Sequence, residues 1–241
     1  MFNQNYIELD SINSTNDYIN NLNKLYLREG LIVRANFQTE GKGQRSCKWH
    51  SDPNKNLLLS VVIEPKIYAR NHFIISKIVS LAICDVLFDL GLEPNIKWPN
   101  DIIVYDKKIS GVLIENKIKG DFITHSIIGV GLNINQCLFQ DYCTQATSLS
   151  LILNRVFSIK NIEKSLIHFL SKRIEDFRNG YNCHNEYLKL MYLKDNKSSF
   201  EYKGVKFTGI IRGLSDNGSL ILQRGNNTYD TFKIKEIKYI F

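Results

Sequence analysis

Cysteine, proline and tryptophan are scarce in this chain of 241 residues, which has five, four and two of them respectively. The cysteines are Cys47, Cys84, Cys137, Cys143 and Cys183. Their number is odd and no pair is spaced Cys-x-x-Cys, which argues against a disulfide framework and against a structural zinc site. None is placed as an activated nucleophile, and Cys84 sits in an apolar stretch that reads as core. No apolar run approaches the length that spans a bilayer. The N-terminal Met1-Phe2-Asn3-Gln4-Asn5-Tyr6 lacks the basic-then-apolar pattern of a signal segment. The expectation is a cytoplasmic protein with no membrane association. Internal repeats and low-complexity tracts are missing. So are the phosphate-binding P-loop and the dinucleotide fingerprint, so a nucleotide, if bound, is held in another way.

What is present is ordinary for a globular protein: 44% hydrophobic and 23% charged residues, enough chain for one substantial domain with a small satellite. The net charge is +7. The lysines are scattered and form no basic block, so the charge suits a nucleic acid, an anionic nucleotide or an acidic protein equally.

The patterning alternates helix and strand. Ser14-Thr15-Asn16-Asp17 offers a hydroxyl N-cap with an acid three residues on, and Tyr18, Leu22 and Leu25 continue at helical spacing, predicting a helix from Ser14 to Leu25. Leu31 to Gln38 alternates as a strand. Asn56 to Glu64 is a nearly continuous apolar run and predicts a buried strand. Phe73 to Leu90 is the longest helical pattern. Ile102 to Tyr105, Ile109 to Glu115 and Ile123 to Asn133 read as a hairpin meander, and Ile162 to Phe177 as a further helix. Composition shifts near Asn196. Beyond it, Val205 to Ile211, a turn at Asp216-Asn217-Gly218, Leu220 to Leu222 and Thr228 to Phe241 read as strands of a small barrel. The expected division is 1–195 and 196–241.

Four polar constellations interrupt this pattern. Gly41-Lys42-Gly43-Gln44-Arg45 could cradle an anion on exposed backbone N–H groups, or simply turn. Lys97-Trp98-Pro99-Asn100-Asp101 sets two small polar residues after a rigid proline. Asn100 could read an amide or adenine edge and Asp101 could hold Mg²⁺, or the segment could be a capping turn. In Lys108-Ile109-Ser110-Gly111, a glycine inside a strand marks a bulge or a close approach. Gly129-Val130-Gly131-Leu132-Asn133 leaves one strand face bare, with room for a flat ring whose edge Asn133 could meet, or it is a twisted strand end. Each bland reading holds singly; the four together in this order argue for a site.

In this order the motifs resemble the biotin protein ligase family. Ser14-Thr15-Asn16, Gln38 with the Gly41–Ser46 loop and Trp49, the intact Lys-Trp-Pro-Asn-Asp at 97–101, the intact Lys-x-x-Gly-x-Leu-x-Glu at Lys108, Gly111, Leu113 and Glu115, and Gly129, Gly131 and Asn133 carry the resemblance. It runs from about residue 6 to the end. It implies an α+β fold: a class II aminoacyl-tRNA-synthetase-like catalytic domain, a mixed sheet with helices, followed by a small SH3-like β-barrel. It implies ATP and biotin as substrates with Mg²⁺, and a biotin carboxyl carrier protein as partner. By the same resemblance, Ser14, Thr15, Asn16, Gln38, Gly41, Lys42, Gln44, Lys108 and Gly111 would hold biotin. Lys42, Arg45, Trp49, Lys97, Asn100, Asn133 and Arg212 would hold ATP, Asp101 the metal, and Lys108 and Arg45 would be catalytic.

The implied chemistry suits these residue types. A carboxylate must be activated before an amine can displace it. Its attack on a phosphate brings two anions together, so lysine, arginine and Mg²⁺ have charge to offset. No covalent nucleophile is required, consistent with the absence of a triad. Two departures stand out. Lys42 and Gln44 occupy positions where arginine is the familiar residue; lysine lacks the guanidinium fork and glutamine lacks the charge, which shifts weight onto Arg45. The Ser-Thr-Asn motif begins at residue 14, so no helix-turn-helix domain and no DNA binding are expected. A lipoate or octanoate ligase of the same fold is the alternative. A nucleic-acid module built on the terminal barrel is a third reading. Monomer and homodimer remain equally open.

Overall fold

A computed structural model describes residues 5–23, 25–44, 47–139 and 145–240. Strands β1 (Asn5–Ile12) and β2 (Leu31–Gln38) pair in parallel, with helix α1 (Thr15–Asn21) carrying the chain back between them. Parallel neighbours need such a crossover. The helix stops short of the expected Leu25. Leu22 is already extended, and Leu25 is 70% exposed, so no core exists there to reward another turn.

Strand β3 (Leu57–Ile63) is buried along its whole length, as its apolar run predicts. It is followed by the short β4 (Ile67–Tyr68), helix α2 (Phe73–Asp89), β5 (Asn95–Lys97), β6 (Asp101–Val104), β7 (Lys107–Lys119) and β8 (Phe122–Leu132). The sheet order is β1-β2-β3-β8-β7-β6-β5, with β4 paired to β8; every pair except β1 and β2 is antiparallel.

The two sheet faces have different tasks. Leu57, Leu59, Val61 and Ile63 of β3, with Ile128, Val130 and Leu132 of β8, face the main core. Helices α2 and α4 (Ile159–Arg178) cover that face; in the chain the short α3 (Leu149–Leu153) precedes α4 and α5 (His184–Lys189) follows it. The alternate positions face α1. There Val62 and Ile127 form a smaller cluster with Ile19 and Val33, and Ser60, Gly129 and Gly131 lie on the same side by alternation.

Among the described residues one helical segment, Ala69–Asp89, is long and apolar enough by composition to cross a membrane, against the expectation from sequence. A helix apolar all round is either a membrane span or a core helix. Here Phe73, Ile75, Ile78, Leu81, Ile83 and Leu87 are each no more than 3% exposed, and α2 packs on α4 and on the sheet.

The C-terminal strands β9 (Lys197–Tyr202), β10 (Val205–Leu214), β11 (Leu220–Gln223), β12 (Tyr229–Phe232) and β13 (Ile237–Ile240) form an antiparallel sheet in the order β12-β11-β10-β9-β13, the SH3-like barrel of this α+β fold. The last expected strand is two, split where Lys235 takes a left-handed φ of 79°, a conformation that breaks a strand. Phe200, Ile211, Leu222 and Phe232 of the barrel share one hydrophobic cluster with α2 and the main sheet. Trp98 links the two sheets. It is 3% exposed and its Nε1 donates to the Gly218 carbonyl at 2.9 Å. The tryptophan of the Lys-Trp-Pro-Asn-Asp motif is therefore a joint between sheet and barrel rather than a wall of the site.

Candidate functional site

The α1-facing side of the main sheet carries the site. Strand register places Leu58, Gly131 and Gly111 in one row across β3, β8 and β7, and Ser60, Gly129 and Leu113 in the next. Three of these six positions lack a side chain, so two shallow troughs cross the sheet. Each is filled from above. A Cβ on Gly131 would lie 2.4 Å from the Trp49 ring, and one on Gly111 would lie 3.1 Å from it. A Cβ on Gly129 would lie 2.6 Å from Asn16 Oδ1. The flat ring for which the glycines leave room is thus Trp49 itself, the far wall of a cavity of about 180 Å³.

One corner of this cavity is polar and rigid. Ser14 caps α1, its Oγ accepting from the Asp17 N–H, and Ser14, Thr15 and Asn16 are all 4% exposed or less. Gln38, at the end of β2, accepts the Thr15 N–H on Oε1 at 2.8 Å. Asn16 Nδ2 donates to Glu115 Oε2 at 2.7 Å, and Asn20 Nδ2 donates to the same oxygen at 3.2 Å. Ser60 Oγ, fully buried, lies 2.6 Å from Thr15 Oγ1 and 2.7 Å from Asn16 Oδ1.

The opposite corner is charged. Lys108 Nζ meets Asp101 Oδ1 at 2.6 Å. A bulge produces this approach: Ile102 pairs with Ser110 but Ile103 pairs with Lys108, which leaves Ile109 as the extra residue. A bulge re-aims the side chains beside it. Sequence had allowed the irregularity at Gly111; it falls two residues earlier, and Gly111 provides the close approach instead, since a Cβ there would sit 3.2 Å from Lys108 Nζ. The same ammonium lies 5.7 Å from the Trp49 ring centroid. Asn100 Nδ2 donates to the Val112 carbonyl at 2.7 Å, which ties the Pro99 turn to β7.

The glycine loop roofs the cavity. Trp49 N donates to the Gly41 carbonyl at 2.8 Å and Gly43 N to the Cys47 carbonyl at 2.7 Å. Lys42 Nζ meets Asp17 Oδ2 at 2.6 Å, so the loop is pinned to α1, and the hydrogen bond to Asp17 raises the lysine's pKa. Gly41 has no freedom for a side chain: its Cβ would lie 2.4 Å from the Trp49 carbonyl oxygen.

Of the residues expected from sequence, Ser14, Thr15, Asn16, Gln38, Lys42, Gln44, Trp49, Asn100, Asp101, Lys108 and Gly111 line this one cavity. Arg45 lies outside the described residues. Gly41, Lys97, Asn133 and Arg212 are not on the wall. Gly41 stands behind Gln38. Lys97 is half-buried beneath the barrel, with Nζ 5.3 Å from the Tyr239 ring, and burial lowers its pKa. Arg212, exposed on β10, is held by Gln223 of β11 and by Asp195 ahead of β9, at 2.7 Å each. Asn133 is buried, and its Nδ2 donates to the Thr147 carbonyl at 3.0 Å. Its Oδ1 has no hydrogen-bond partner among the described residues.

Sequence reading missed Ser60, and gave Glu115 no part in the site. Ser60 had a usable signal: it is the single polar residue in Leu57–Ile63, and a lone polar group in a buried strand must have a partner.

A family model describing the biotin/lipoate A/B protein ligase family matches residues 8–133, which include both corners of the cavity. The chain belongs to this family. Ligases of the family resemble it over most of its length. The bifunctional ligase/repressor BirA of Bacillus subtilis is 28% identical over 231 residues, covering 91% of this chain and 70% of that protein. The biotin--[acetyl-CoA-carboxylase] ligase of Mycobacterium tuberculosis is 27% identical over 209 residues, covering 83% of this chain and 76% of that protein. Among solved structures, the biotin protein ligase of Aquifex aeolicus in complex with biotin and ATP superposes with a TM-score of 0.83. It shares 23% identity and covers 98% of this chain and 100% of that one, a likeness of fold.

Proposed function

We propose that this chain is an ATP-dependent biotin–protein ligase. The observation that carries the reading is one cavity holding a neutral, hydrogen-bonding corner and a lysine–aspartate corner, separated by a glycine floor under Trp49. That arrangement suits a ligand with a polar ring at one end and a carboxylate at the other. Thr15, Asn16 and Gln38 would take the ureido ring. Lys108 would take the carboxylate and the α-phosphate.

The reaction has two parts. The biotin carboxylate oxygen attacks the α-phosphorus of ATP, the bond to the β-phosphate oxygen breaks, and pyrophosphate leaves; biotinyl-5′-AMP remains. The amine of a lysine on a biotin carboxyl carrier protein then attacks the acyl carbon, AMP departs with the anhydride electrons, and the amine loses its proton. Lys108 offsets charge where the two anions meet. The Lys42–Asp17 pin and the Trp49 wall keep water from the anhydride. Asn133 Oδ1, an acceptor with no hydrogen-bond partner among the described residues, matches the exocyclic amino group of adenine in chemistry. It is buried off the wall of this cavity, so adenine would reach it only from outside the space of about 180 Å³.

Mg²⁺ would be held by Asp101. Among the described residues, no group of three or more His, Cys, Asp or Glu is placed to hold a metal ion. A single carboxylate nonetheless fits an ion that arrives with nucleotide phosphates and water as its other ligands. When bound it would neutralise phosphate charge.

The test is incubation with labelled biotin, ATP, Mg²⁺ and a biotin carboxyl carrier domain. Labelling of the carrier that requires ATP is the expected result. Transfer with lipoate or octanoate but not with biotin would assign the chain to the other branch of its family.

A further inference from the structure

The hydroxyls behind the polar corner form a chain whose proton directions can be worked out. It starts at Glu115, whose carboxylate accepts the Asn16 Nδ2–H at 2.7 Å. That contact orients the Asn16 amide, so Asn16 Oδ1 faces Ser60 as an acceptor. Ser60 has one hydroxyl proton, and Asn16 Oδ1 at 2.7 Å can only receive it. The 2.6 Å contact between Ser60 Oγ and Thr15 Oγ1 also needs a proton. With the serine's proton spent, it must come from Thr15. Gln38 Oε1, 3.0 Å from Thr15 Oγ1, has a second lone pair for the same proton. Two hydroxyl protons serve three contacts, however, and the O···O contacts at 2.6 and 2.7 Å each need one, whereas Gln38 Oε1 already has the Thr15 N–H at 2.8 Å. Thr15 Oγ1 is therefore left with its lone pairs turned to the cavity.

We infer that Ser60 is a specificity-determining positioning residue, which relays the polarity of Glu115 through Asn16 and fixes Thr15 as an acceptor for a ligand N–H. This rests on the biotin reading above and deepens it. A cyclic urea brings N–H donors to that corner. A dithiolane or an alkyl chain brings none and would leave a desolvated acceptor unpaired, which is the strong form of discrimination. Ser60 touches no ligand itself: it is fully buried in β3, beneath the first turn of α1. The row it occupies explains the bare neighbour as well, since Gly129 beside it leaves space for the Asn16 amide to reach the serine.

The test measures direct binding by calorimetry for wild type, Ser60→Ala and Ser60→Cys, with biotin methyl ester, octanoate and ATP as separate probes. The ester presents the cyclic urea without the carboxylate, so the result does not depend on catalysis. The expected Kd of Ser60→Ala for the ester rises tenfold or more, about 1.4 kcal/mol. Ser60→Cys, with its weak S–H donor, falls between. Octanoate and ATP binding stay within twofold, and this separates positioning from general damage. An unchanged ester Kd overturns the inference, as does equal weakening of octanoate. So does a wild type that binds no cyclic urea. Should Ser60→Ala not fold, Ser60→Cys gives the same comparison. A wild type that binds the ester but labels no carrier would count against the ligase reading and leave the relay intact.

Discussion

Lys108 Nζ lies 2.6 Å from Asp101 Oδ1, across a hairpin whose bulge brings two successive motifs into one ion pair. Both groups are partly shielded, with side chains 26% and 20% exposed. Lys108→Ala removes the cation at the cavity floor and breaks its ion pair with Asp101. The expected loss in kcat/KM is about 10²- to 10³-fold, the range for removing one preorganised charge stabiliser. Biotin-dependent ATP–pyrophosphate exchange measures it, and a loss below tenfold would remove Lys108 from the chemistry. Lys108→Arg should restore little, because the ammonium sits tightly over Gly111.

Gly131→Ala tests the glycine floor. Its Cβ would lie 2.4 to 2.8 Å from three atoms of the Trp49 ring, so the indole must move. Trp98 is the only other tryptophan, and it is buried at the barrel joint. In a Trp98→Phe background the emission of Trp49 should shift to the red on Gly131→Ala, with biotin-dependent exchange falling at least tenfold. Unshifted emission would mean that the ring does not rest on the floor.

The barrel joint makes a separate prediction. Trp98→Phe removes the donor from the buried Gly218 carbonyl and should cost about 1–3 kcal/mol in urea denaturation, the range for a buried polar group left unpaired. Gly218→Ala should cost more. Its φ is +83° and its Cβ would lie 2.1 Å from Phe73. Equal stability of wild type and Trp98→Phe would show that the joint does not hold the barrel.

Glu163 gives a pH dependence away from the site. It is 5% exposed, and burial raises its pKa above the ordinary 4.5, although Tyr6 and Arg34 partly oppose this. The folded chain then binds this proton more tightly than the unfolded chain. The stability contributed by protonation is complete below pH 4.5 and is lost as pH rises through the folded-state pKa. Urea denaturation of wild type and Glu163→Gln between pH 4.5 and 7 should show a decline with rising pH that the variant lacks. Parallel curves would place the burden on another group.

Much of the fold was legible because it rests on local pattern. The seven apolar or buried positions of β3 and the long run of α2 announce a core. The hydroxyl at Ser14 caps α1 as its sequence predicts. The glycines of β7 and β8 signalled a bare face, and most of the motif residues do meet in one cavity. What sequence could not give is decided by register and by contacts distant in the chain. Only the pairing of β3 with β8 sets Ser60 in the row of Gly129. Only the turn at Gly218 shows that Trp98 binds the barrel rather than a ligand. Only packing shows that Trp49 fills the space that the glycines leave. Side-chain type and spacing determined the family, the elements and the chemical repertoire of this protein. The tertiary structure decided which polar groups face one another, because a proton's direction depends on partners that the chain brings together only when folded.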